Sequence, residues 1–117
     1  MILQPAQCTK LGKLYIGKSE ELLVGTVGKE LQGQVQLLFT SPPFPLNQKK
    51  KYGNYQGEDY INWFAAFAPL FADLLTPTGS IVIELGNAWE PGRPVQSLLP
   101  LQSLLGFLQH KKTRIVN

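Results

Sequence analysis

The chain has 117 residues, 44% of them hydrophobic and 16% charged, with 11 Lys+Arg against 8 Asp+Glu. That length holds one small domain, and the apolar content excludes disorder of the whole chain. No apolar run approaches the ~20 residues of a membrane span, and a net charge of +3 permits a nucleic-acid partner without requiring one.

The N-terminus, Met1-Ile2-Leu3-Gln4-Pro5, lacks a basic region followed by an apolar one, so no secretory signal is expected. Cys8 is the single cysteine, which excludes an internal disulfide and a multi-cysteine zinc site. A reduced, cytoplasmic setting fits, and no metal is implied. The first predicted strand is Lys13 to Gly17. Ser19 is a candidate N-cap for a short helix over Glu20 to Leu31, weakened by Gly25 and Gly28. The Gly25-x-x-Gly28 pair is too weak a pattern for a phosphate loop.

A second strand is predicted over Val35 to Thr40, and a third over Ser80 to Leu85. These two are near-continuous apolar runs, as expected where a parallel sheet is covered on both faces. Between them, Tyr60, Trp63, Phe64, Phe67, Phe71, Leu74 and Leu75 follow helical spacing and predict a helix from about Glu58 to Leu75. The stripe reads as core. Glu58 and Asp59 stand where the helix dipole favours negative charge, and Pro69 should kink or split the helix. Thr76-Pro77-Thr78-Gly79 should stop it and turn the chain into the third strand. A last helix is predicted over Val95 to Gln109, with Pro94 near its first turn and Pro100 interrupting it. His110 reads as a surface residue. Strands alternating with helices predict α/β architecture with a mostly parallel sheet and flanking helices.

The segment with chemical content is Thr40-Ser41-Pro42-Pro43-Phe44, directly after an apolar strand. Ligands of open α/β sheets bind outside the carboxyl ends of strands. Two consecutive prolines make a rigid loop that offers carbonyl acceptors and no donors. Ser41 adds a hydroxyl, and Phe44 a flat face for a planar ring. Fixed acceptors suit an exocyclic amine, whose lone pair is otherwise delocalised into its ring. Hydrogen bonds from its N–H groups favour a pyramidal nitrogen, which is stabilisation by preorganised dipoles. A base in a duplex would have to flip out to reach such a loop. The same run also reads as a proline-rich loop or a polyproline ligand.

Here the sequence resembles the amino-methyltransferases of DNA, which methylate cytosine N4 or adenine N6 from S-adenosylmethionine. Their catalytic loop reads Ser/Asn/Asp-Pro-Pro-Tyr/Phe, and Ser41-Pro42-Pro43-Phe44 is the serine form associated with cytosine N4. Further segments follow in the family's order: Lys49-Lys50-Lys51-Tyr52-Gly53-Asn54, Tyr60-Ile61-Asn62-Trp63, Gly79 to Trp89, and Pro91-Gly92-Arg93-Pro94. The resemblance covers about residues 14–109. It implies a partial Rossmann-like S-adenosylmethionine-dependent methyltransferase fold and a site-specific DNA methyltransferase of a restriction-modification system. By the same resemblance, Ser41 and the Pro42 and Pro43 carbonyls bind the target amine and Phe44 stacks on the flipped base. Thr40 and Ser41 lie near the S-adenosyl-L-methionine cofactor, and Lys49, Lys50 and Lys51 sit near double-stranded DNA. Glu84 matches an acid of the family. Asn87 and Trp89 either line the rim of the site or pack.

The chain also departs from the family pattern. It contains no Phe-x-Gly-x-Gly cofactor loop and no stretch long enough for a target-recognition region, and Gly17-Lys18-Ser19 stands where relatives commonly carry an acid. Residues 1–117 therefore read as a single partial catalytic domain, the N-terminal part of a longer enzyme. A complementing C-terminal segment or self-association is implied, and a partial sheet is expected to leave an apolar edge exposed. The alternatives are an inactive fragment that retains the fold, and an adenine-N6 enzyme.

Overall fold

A short antiparallel hairpin opens the fold. Strand β1 (Gln7–Cys8) pairs with β2 (Lys13–Leu14) across a turn in which the Gly12 N–H donates to Thr9 Oγ1 at 3.0 Å. The computed structural model describes residues 4–43, 57–87, 89–90 and 92–109. The predicted first strand is thus shorter than its pattern suggested, and it lies in this hairpin rather than in the parallel sheet. Its residues are exposed, so no core contact extends it.

The single helix expected over Glu20 to Leu31 is two: α1 (Ser19–Val24) and α2 (Thr26–Leu31), broken at Gly25. Ser19 is not the N-cap. Lys18 occupies that position with no side-chain capping bond, and Ser19 begins the first turn. Gly28 is buried, and a Cβ there would collide with the Leu23 carbonyl, so the close approach of α1 and α2 needs a glycine.

Strand β3 (Val35–Thr40) follows. The long aromatic helix is split as Pro69 requires, into α3 (Gly57–Ala65) and α4 (Phe67–Leu74). Proline at 69 has no N–H to donate to the carbonyl four residues earlier, that of Ala65, where α3 ends. Strand β4 (Leu75–Ile83) starts without a separate turn, earlier than predicted, and α5 (Leu99–Leu108) closes the described fold. Helix α5 begins at Leu99, not Val95. Pro100 therefore falls in its first turn, where a missing N–H is tolerated, and does not interrupt it. Ser97 Oγ accepts from the Leu99 N–H at 3.2 Å, and the buried Ser103 hydroxyl donates to the Leu99 carbonyl at 2.7 Å.

β3 and β4 pair in parallel, with Leu38 opposite Ile81, Phe39 opposite Val82 and Thr40 opposite Ile83. The ladder is irregular near its start. Leu75 faces Val35, but the next pair is Leu37 with Ser80, so Thr76 to Gly79 bulge out. The Gln36 amide fills the gap: its Nε2 donates to the Thr78 carbonyl at 3.0 Å and its Oε1 accepts from Thr76 Oγ1 at 2.8 Å. A Cβ on Gly79 would stand 2.8 Å from the Val35 carbonyl, so the bulge closes only around a glycine.

The core is aromatic. Tyr60, Phe64, Phe67, Phe71 and Phe107 form one buried cluster with Ala68, and Leu38, Ile81 and Ile83 pack on it from the sheet. Phe64 stacks on Phe107 with centroids 4.9 Å apart, which ties α3 to α5. Full burial of each such ring contributes about 1.5–3 kcal/mol. The expected stripe is therefore core, with Trp63 only partly buried at its margin, edge-on to Phe67 at 5.2 Å. On the opposite face of the sheet Leu37, Phe39 and Val82 are exposed, and no described helix packs there. The two-sided burial inferred from the apolar runs thus holds for one face only.

Candidate active site

Parallel pairing brings the carboxyl ends of β3 and β4 level. Beyond the last pair, Thr40 with Ile83, the Glu84 N–H donates to the Thr40 carbonyl at 2.9 Å. The chain leaves β3 at this point as Ser41-Pro42-Pro43. Prolines 42 and 43 have no N–H to continue a ladder, so the strand ends on chemistry rather than on a turn. Pro42 is buried and anchors the loop, while Ser41 and Pro43 are exposed. The result is a fixed, donor-poor segment at the end of a parallel strand.

The structure thus brings Thr40, Ser41, Pro42 and Pro43 to one strand end, with Glu84 exposed just after the neighbouring strand. Phe44, Lys49, Lys50 and Lys51 lie outside the described residues, as does His110. Asn87 is exposed after β4. Trp89, also exposed, pairs through an isolated antiparallel bridge with Gln96, around a turn in which the Glu90 N–H donates to the Val95 carbonyl at 2.7 Å. Gly92 supplies the positive φ of +66° that this turn needs.

One concavity was not foreseen from the sequence. A cleft of about 190 Å³ is lined by Glu20 of α1, Trp63 of α3, Ala66, and Phe67 and Leu70 of α4. Its signal was present in the positions 63, 66, 67 and 70, which share one helical face, but the break at Ala66 and the arrival of α1 create the hollow. Among the described residues, burial pushes the Tyr60 phenol up to about 12. Its hydroxyl has no hydrogen-bond partner among the described residues. Those residues also contain no cluster of three or more His, Cys, Asp or Glu able to hold a metal ion.

Chemically, the strand-end segment can present the Pro42 and Pro43 carbonyls and the Ser41 hydroxyl to a group that carries N–H donors. The prolines fix φ, so the acceptors are ordered before any ligand arrives. Glu84 adds an exposed carboxylate beside the same strand end.

No protein-family model matches the chain. A curated relative does: the type II methyltransferase M.PvuII of Proteus hauseri is 38% identical over 105 residues, which are 90% of this chain and 30% of that protein. Among solved structures, the PvuII DNA methyltransferase (cytosine-N4-specific) superposes with a TM-score of 0.74 at 36% identity, over 92% of this chain and 37% of that one. The chain spans about a third of the length of the relatives it matches. The likeness in fold agrees with a partial Rossmann-like arrangement of helices and parallel strands. Across nearly all of its own length, then, the chain is homologous to the N-terminal part of a cytosine-N4-specific DNA methyltransferase.

Proposed function

We propose that this chain is the catalytic-loop part of a site-specific DNA methyltransferase acting on cytosine N4, of the restriction-modification type. The observation that carries the reading is the placement of Ser41-Pro42-Pro43 at the carboxyl end of β3, within a segment 38% identical to M.PvuII. The 1–117 stretch is read as a single partial catalytic domain.

In this reading the Ser41 hydroxyl and the Pro42 and Pro43 carbonyls accept hydrogen bonds from the cytosine amine. They favour a pyramidal nitrogen with an available lone pair, and they do so without reorganising during the reaction. Phe44 stacks on the flipped base. Thr40 and Ser41 border the methyl donor. S-adenosyl-L-methionine, when bound, supplies an electrophilic methyl group on a sulfonium centre. The described residues fit such a cation at the strand ends, where acceptors outnumber donors and Glu84 exposes a carboxylate. Lys49, Lys50 and Lys51 neutralise DNA phosphates, a contact that positions without reading sequence. Double-stranded DNA is the partner.

The test is a chimera in which residues 14–109 replace the matching segment of M.PvuII. Incubated with duplex DNA and S-adenosyl-L-methionine, it should form N4-methylcytosine, detected by mass spectrometry of the nucleosides. Formation of N6-methyladenine instead moves the assignment to adenine, and a folded chimera that methylates neither base overturns the reading. A second reading, a fragment without activity by itself, is favoured by the 30% coverage of the relative. Micromolar binding of S-adenosyl-L-methionine to the isolated chain, about −8 kcal/mol, argues against it.

A further inference from the structure

We propose that the turn after β4 carries a further nucleic-acid contact, in which the exposed indole of Trp89 stacks on an unpaired nucleobase of the DNA. The proposal rests on the functional reading above and adds a residue to its binding surface. β4 ends at Ile83 and α5 begins at Leu99. The chain between them leaves the sheet at its carboxyl end, level with Ser41-Pro42-Pro43, because the Glu84 N–H donates to the Thr40 carbonyl there. Trp89 follows Glu84 closely in the chain and stands at most about 18 Å from it. That span is about five nucleotide steps along one strand, at about 3.4 Å each.

Trp89 is 65% exposed, so packing within the described fold does not account for it. Its backbone is held all the same. Trp89 is bridged to Gln96, the Glu90 N–H donates to the Val95 carbonyl at 2.7 Å, and the Arg93 N–H donates to the Glu90 carbonyl at 3.3 Å. A large flat ring with few torsions, on a fixed turn, loses little entropy when it binds. Charge decides which part of a nucleic acid it meets. Residues 84–98 carry Glu84 and Glu90 against Arg93, a balance of −1. Such a segment does not track phosphates. It suits the uncharged face of a base, and stacking of this kind accepts any base. Within a duplex both faces of a base are covered by its neighbours, so a face becomes available where a base is displaced by flipping. Arg93, exposed on the same turn, is the one cation of the segment and meets a single phosphate.

The experiment titrates the full chain into a fluorescently labelled DNA duplex that carries one unpaired cytosine, and reads anisotropy. Trp89→Leu should weaken binding about tenfold, and Trp89→Phe, which keeps a ring, about threefold at most. Stacking releases no counterion, so the salt dependence of affinity should be the same for the parent and Trp89→Leu, whereas Arg93→Ala should lower its slope by about one. Trp89 and Arg93 are exposed, so the variants should keep the circular dichroism and melting midpoint of the parent. Independently, in the unaltered chain, iodouracil placed beside the unpaired cytosine should photocrosslink to Trp89, mapped by mass spectrometry. An affinity indifferent to Trp89→Leu overturns the proposal. So do crosslinks that avoid Trp89, an equal loss on the fully paired duplex, or a parent chain that does not bind. Binding is read without methyl transfer. Trp89-dependent binding beside an inactive M.PvuII chimera counts against the functional reading alone, and an active chimera whose DNA affinity ignores Trp89 counts against this contact alone.

Discussion

The backbone N–H of Glu84 donates to the carbonyl of Thr40 at 2.9 Å, one residue beyond the last registered pair of the parallel ladder. This bond sets the ends of β3 and β4 level where the Ser41-Pro42-Pro43 loop departs. Glu84→Pro removes the donor and Glu84→Ala keeps it. We expect the proline variant to be less stable than the alanine variant by about 1 kcal/mol, measured as the difference between their urea midpoints. Equal midpoints would show that the bond contributes nothing.

The target-amine acceptors are tested by Ser41→Ala. Ser41 is exposed, so folding should be unaffected. In the M.PvuII chimera, loss of one preorganised polar group at the reacting amine should lower kcat by about 10²-fold with a smaller change in KM. Single-turnover methylation assays check this, and an unchanged rate removes Ser41 from the reaction.

Tyr60 is fully buried, and its hydroxyl is unpartnered among the described residues. Tyr60→Phe should therefore raise stability by about 1 kcal/mol at neutral pH. The phenol also predicts an alkaline dependence. Its ordinary value is 10.0, and burial raises it to about 12 in the fold. The folded state holds this proton more tightly, so the contribution is complete below pH 10 and is lost as pH rises toward 12. The difference reaches about 2–3 kcal/mol. Denaturant melts of the parent and of Tyr60→Phe across this range isolate the residue, since every other group titrates in both. Parallel curves would refute the assignment.

Gly79→Ala probes the bulge. The added methyl meets the Val35 carbonyl at 2.8 Å and the Leu75 Cβ at 3.0 Å, neither of which can swing aside as a chain end can. The expected loss is about 1–3 kcal/mol. Gln36→Leu removes the amide that bridges Thr76 and Thr78. Being at the surface, it should cost less, about 1 kcal/mol. Thermal melts that rank the two in the opposite order would mean that the amide, rather than the glycine, governs the closure.

Much was determined by the order of residues alone. The aromatic spacing from Tyr60 to Phe71 required a helix with one buried stripe, and Pro69 required its division, because both effects depend on neighbours within a turn. The apolar run Val35–Thr40 ending in Ser41-Pro42-Pro43 likewise placed the candidate loop at a strand end, and the segment order pointed to DNA amino-methyltransferases. What the sequence left undecided depends on distant partners. Lys13 to Gly17 carried a strand pattern, yet only Lys13–Leu14 pairs, and it pairs within a local hairpin with Gln7–Cys8 rather than with the β3–β4 sheet. The bulge of Thr76 to Gly79 required Gln36, forty residues away, to satisfy it. The faces of β3 and β4 looked alike by composition. Tertiary packing alone set Leu38 and Ile83, partly buried, against the aromatic cluster and left Phe39 and Val82 exposed, because the described helices of this small chain cover only one side of the sheet.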